Sequence, residues 1–77
     1  MTVKEAPEYQ ETFPHYPELV VTLLGEDGNA FSLLGIMGRE MRRYGVPQEL
    51  RDKFFEEATS GDYDHMIQTF MRWAVID

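Results

Sequence analysis

The sequence predicts a mainly helical α+β fold: one N-terminal strand, then a compact three-helix unit, with a short C-terminal strand as an open alternative at the end. Three observations carry this. A β-branched apolar run, Leu19-Val20-Val21-Thr22-Leu23-Leu24, reads as a strand. Three later stretches repeat their apolar residues at a helical period. Gly45-Val46-Pro47 and Ser60-Gly61-Asp62 separate those stretches with residues that stop and start helices.

Residues 1–18 hold Pro7, Pro14 and Pro17 with four glutamates and show neither a helical nor a strand period. They read as an extended or disordered arm, with Tyr9, Phe13 and Tyr16 available to anchor part of it. Residues 19–77 then form the single small domain that 77 residues permit. Apolar side chains alternate to neither side in the strand run, which predicts cover on both of its faces. Glu26-Asp27-Gly28-Asn29 reads as a turn.

The first helix is expected over residues 30–44, capped by Asn29 or Asp27 and ended by Gly45. At 100° per residue, Ala30, Leu33, Leu34, Met37, Met41 and Tyr44 share one stripe, the core face. Arg39, Arg43 and Ser32 fall opposite. Gly35 and Gly38 lie on a flank with Phe31 and Arg42. Each glycine costs roughly 1 kcal/mol against alanine inside a helix, so a close neighbour there, the strand or the arm, is expected. The second helix begins at Pro47 and ends near Thr59, with Leu50, Phe54 and Ala58 inward and Phe55 outside the stripe. Asp62 caps the third, in which Tyr63, Ile67, Phe70 and Ala74 face the core and Met66, Met71 and Trp73 sit on its shoulders. Asp64, His65, Gln68, Thr69 and Arg72 take the other side. Val75-Ile76 either prolongs this helix or turns into a strand beside the first.

Composition narrows the function classes. The chain has no cysteine, so disulfides and thiolate metal sites are excluded, and a cytoplasmic location is expected. No apolar run reaches the roughly 18 residues of a membrane span, and no membrane role is expected. The net charge is −7, which disfavours general binding to phosphate backbones. The one basic island is Arg39, Arg42 and Arg43 against Glu40.

Part of the chain resembles a known group. Gly28-Asn29-Ala30-Phe31, Arg42-Arg43-Tyr44-Gly45-Val46, the run from Glu57 to His65 (EATSGDYDH) and Met71-Arg72-Trp73 are similar to small uncharacterised proteins of bacteriophages and other bacterial mobile elements. The resemblance spans about two-thirds of the chain and leaves the N-terminal arm outside. It implies a small accessory protein in a bacterial or phage setting. It implies no activity and no catalytic residue.

Each candidate for chemistry has a plainer explanation. Asp62, Asp64 and His65 suggest a metal or acid–base site, but a capped helix start needs the same residues, and His65 projects about 100° from Asp64. The loop at residues 25–29 has the outline of a phosphate cradle without its lysine, its hydroxyl residue or its glycine spacing. Ser32 and Ser60 have no adjacent histidine in sequence. So small a domain is also expected to have little room for a pocket of about 300 Å³. No catalytic residue, no metal and no cofactor is expected. Two helices joined at Tyr44-Gly45-Val46-Pro47 have a helix-turn-helix outline, yet the second carries Glu49, Asp52, Glu56 and Glu57 where a recognition helix needs basic groups.

What remains is surface. Phe31 and Phe55, with Trp73 as a further candidate, fall outside the core stripes, and Arg39, Arg42 and Arg43 cluster on the same helix as Phe31. Aromatics ringed by arginine suit a protein interface. The expectation is a non-enzymatic protein-binding accessory, as monomer or homodimer, that occludes a partner through Phe31, Arg39, Arg42, Arg43 and Phe55. The alternative is an acidic mimic of nucleic acid, of the anti-CRISPR kind, that inhibits a host DNA-binding factor.

Overall fold

The protein is seen in a computed structural model that describes residues 6–23, 25 and 28–77. Its elements run β1 (Val20–Val21), α1 (Ala30–Tyr44), α2 (Gln48–Ala58), α3 (Tyr63–Trp73) and β2 (Val75–Ile76). The expected strand and three helices are present, and the chain closes on a second strand.

Local chemistry sets the helix ends. Asn29 caps α1 by accepting from the backbone N–H of Phe31 at 2.9 Å. Gly45 ends it at φ 101°, a left-handed conformation that glycine adopts without a Cβ penalty. Asp27, the other expected cap, lies outside the described residues, as do Leu24, Glu26 and residues 1–5. Pro47 stands just before α2 rather than as its first residue, with ψ 150°. Asp62 caps α3 by accepting from the His65 N–H at 2.9 Å.

β1 and β2 pair in parallel, Val20 with Val75 and Val21 with Ile76. Ala74 leaves α3 in an extended conformation (φ −147°, ψ 169°), which turns Val75 towards Leu19. Leu19 and Val21 are buried while Val20 is 54% exposed and Val75 38%. The expected cover on both faces is therefore corrected: the strand alternates, and one face is open.

The core unites Leu33, Leu34, Met37 and Met41 of α1, Phe54 and Ala58 of α2, and Met66, Phe70 and Trp73 of α3. Phe54 and Phe70 stack at 5.7 Å, and Trp73 meets Phe54 edge-on at 5.7 Å. The α3 face is rotated from the expected one. Tyr63 is 48% exposed, whereas Thr69 is fully buried, and so is Trp73, which is therefore a core residue and not a leftover surface aromatic. Burying the indole removes the most apolar area. Thr69 tolerates burial because its hydroxyl donates to the His65 carbonyl at 2.8 Å.

Part of the N-terminal arm is anchored on the domain. Residues 6–18 carry neither helix nor strand, but they lie against the domain. His15 N–H donates to the Arg72 carbonyl at 2.8 Å and Tyr16 N–H to the Trp73 carbonyl at 3.0 Å. These are carbonyls of the last turn of α3, which the helix itself leaves unsatisfied. Tyr16 is 1% exposed and belongs to the core.

Candidate functional site

Two hollows of about 400 and 350 Å³ adjoin along the outer flank of α1 and share Leu34. The first lies between α1 and α2, where Gly35, Gly38, Arg39 and Arg42 face Arg51, Asp52 and Phe55. The second continues past Phe31 to Ala58, Tyr63 and Met66. Leu34 and Phe54 floor the groove with buried apolar surface. Phe31, 84% exposed, and Phe55, 53% exposed, stand at its margins.

Of the five residues expected from the sequence, Arg39, Arg42 and Phe55 thus line the first hollow and Phe31 the adjoining one. Arg43 does not join them. It lines a separate hollow with Glu18, Val20 and Glu40, and its guanidinium lies 3.4 Å from the Glu40 carboxylate. Arg39 also reaches Glu40, at 3.6 Å. Both arginines are largely exposed, and such pairs contribute little to stability. Arg51, which sequence reasoning passed over, is held in the groove by donating Nε–H to the Val46 carbonyl at 3.1 Å.

The two glycines overturn an expectation. A close neighbour was expected to account for Gly35 and Gly38, from the strand or from the arm. A Cβ placed on either would meet nothing within 4 Å. Two helix-interior glycines, each costing about 1 kcal/mol, therefore stand in the groove wall with nothing among the described residues packed where their side chains would be.

The Ser60–His65 region is better ordered than its sequence suggests. Ser60 Oγ lies 3.1 Å from His65 Nε2, so the absence of a histidine beside Ser60 in sequence does not hold in space. The pair is still not a nucleophile and base. His65 Nε2 lies 2.9 Å from the Glu57 carbonyl, which can only accept, so that nitrogen carries a proton and has no lone pair for the serine. Ser60 Oγ donates to the same carbonyl at 2.8 Å. Together they satisfy the C-terminus of α2. Gly61 makes this possible, since a Cβ there would fall 2.8 Å from the His65 ring. Asp62 is occupied as a cap, and Asp64 accepts from the Gln68 amide at 3.0 Å. Among the described residues no group of three or more His, Cys, Asp or Glu is placed to hold a metal.

On the other side of α2 an open cleft of about 540 Å³ lies between residues 9–15 and α2. The expectation that so short a chain lacks room for a pocket is corrected, because the folded-back N-terminal segment supplies a wall. Tyr9 and His15 stack there at 4.5 Å, and Phe13 meets His15 edge-on at 5.1 Å.

Among the described residues no helix is long and apolar enough to cross a membrane. Comparison with protein-family models, curated proteins and solved structures gave no match.

Proposed function

We propose that this chain is a non-enzymatic protein-binding accessory that docks on a partner through the α1–α2 groove and so occludes the partner's surface. The observation that carries the reading is the open pair Gly35 and Gly38, set between exposed aromatics and arginines. Glycine is the residue of choice where another backbone must approach closely. An apolar floor with Phe31 and Phe55 at its edges supplies desolvated area, and Arg39, Arg42 and Arg51 supply directional contacts. The groove suits an amphipathic helix laid along α1. Three arginines against Asp52 favour a helix with carboxylates beside its apolar stripe. The resemblance to phage and mobile-element proteins, with its bacterial setting, agrees with an accessory role in the cytoplasm.

The test compares Phe55→Ala and Arg39→Ala with the parent. Both side chains are largely exposed, so circular dichroism should be unchanged. Partner binding, or self-association by sedimentation if the partner is a second copy, should weaken about tenfold or more, the usual effect of losing an interface anchor. Unchanged binding in both folded variants would refute the reading.

A second reading has one observation in its favour. Glu49, Asp52 and Glu56 are all exposed along α2 and form a short run of carboxylates like that of a nucleic-acid mimic. Arg51 and Lys53 interrupt it. Competition with DNA for a shared partner, abolished by Glu49→Gln with Glu56→Gln, distinguishes this reading from the first.

A further inference from the structure

The cleft between residues 9–15 and α2 has a composition that a passive crevice does not need. One wall is aromatic: Tyr9, Phe13 and His15. Facing it, α2 presents Glu56 and Glu57 with Lys53, and Glu11 and Ser60 complete the rim. Lys53, Glu56 and Glu57 fall on the flank of α2 opposite Arg51 and Phe55, so this cleft is separate from the groove along α1.

Two details fix its electrostatics. The His15 ring is 7% exposed, with Nδ1 2.6 Å from the Gln10 carbonyl and Nε2 3.3 Å from the Tyr9 hydroxyl. A carbonyl only accepts, so Nδ1 carries the proton. Nε2 faces the Tyr9 hydroxyl, so both ring nitrogens are engaged within the wall. Glu57 is half-buried, and its Oε2 accepts from the buried Trp73 indole N–H at 3.3 Å. That bond aims the carboxylate and leaves most of its acceptor capacity unused. Among the described residues neither Glu11, Glu56 nor Glu57 forms an ion pair, although Lys53 borders the same cleft.

We propose that this cleft binds the guanidinium of an arginine side chain presented by a partner protein. A planar cation stacks on flat ring faces and can donate to a positioned carboxylate at the same time, which an ammonium does less well. The chain already contains one such contact: Arg72 Cζ lies 5.8 Å from the centroid of the Phe13 ring. The assignment is independent of the α1–α2 groove and stands or falls separately.

The probe is N-acetyl-arginine amide, titrated into the full chain at constant chloride and followed by NMR of the aromatic side chains. Affinity in the millimolar range is expected for one stacked, charge-assisted contact. Saturable shifts centred on Tyr9, Phe13 and His15 are the predicted result. Glu57→Gln keeps an oxygen for Trp73 but removes the charge, and Phe13→Ala removes a 67% exposed ring without touching the core. Each should weaken binding roughly tenfold, equivalent to one lost charged or stacked contact. The proposal is overturned by shifts that never saturate, by shifts spread evenly to aromatics away from the cleft such as Phe31 and Tyr63, or by both variants titrating like the parent. N-acetyl-lysine amide binding as tightly as the arginine probe would overturn the choice of guanidinium.

Discussion

Replacing Gly35 and Gly38 with alanine should make the protein more stable and less able to bind. Neither glycine has positive φ, and a methyl at either position meets nothing within 4 Å, so there is no strain or clash to oppose the substitution. There is equally no packing to gain. What remains is the helix preference of alanine, about 0.8–1 kcal/mol per site, or roughly 1.5–2 kcal/mol for the pair. For a domain of this size each kcal/mol moves the midpoint of thermal unfolding by about 4–8 °C. A denaturant titration at fixed pH measures the first effect, and the partner or self-association assay measures the second. Two methyls would hold an approaching helix away from α1, so binding should fall while stability rises. Destabilisation of the pair variant would show that the glycines serve the fold. Stabilisation with undiminished binding would remove the argument that they serve a partner.

Three further predictions concern the fold. Phe70→Ala removes a fully buried ring that stacks on Phe54 and should cost about 3–5 kcal/mol, enough to leave the domain marginal; thermal unfolding within a few degrees of the parent would contradict the core described. The Tyr16 hydroxyl is buried without a hydrogen-bond partner among the described residues, so Tyr16→Phe should be neutral or stabilising by up to about 1 kcal/mol at neutral pH. Burial first, then the neighbouring Tyr9 and Tyr44, raise the Tyr16 pKa above its ordinary value of 10.0. The unfolded chain then releases this proton first. The stabilisation is fully present below about pH 10 and is lost as pH rises towards the folded value, so Tyr16→Phe should flatten the alkaline decline in stability. Gly61→Ala should cost about 1–2 kcal/mol by displacing the His65 ring from the end of α2, and much less when His65→Ala is already present; equal costs in both backgrounds would contradict that contact.

Helix ends were legible because single residues carry them: Asn29, Gly45 and Asp62 act as their side chains and conformations require. The core stripes of α1 and α2 were legible from spacing, although Leu50 is only half-buried. On α3 the same method misplaced Thr69 and Tyr63, because period alone cannot weigh the area of Trp73 against that of Tyr63. The docking of residues 6–18 was not legible, since it runs through backbone bonds from His15 and Tyr16 to the carbonyls of Arg72 and Trp73. Such bonds leave no side-chain pattern. The aromatic cleft went unseen for the same reason, although Tyr9, Phe13 and His15 were a visible signal once the segment was known to fold back. Phe31 and Phe55 could be found by elimination from the core stripes. Arg43 could not be separated from Arg39 and Arg42, because its position beside Val20 and Glu18 depends on where β1 lies.

The most direct test of the binding surface is photocrosslinking in the cells from which this sequence comes. Benzoylphenylalanine replaces Phe31 or Phe55 at the groove margins, with Val75 on the open face of the strands as the control position. Positions 31 and 55 should each capture the same protein, whether a different chain or a second copy, and position 75 should not. Capture from position 75 alone, or no product from either groove position while the variants remain folded, would contradict it.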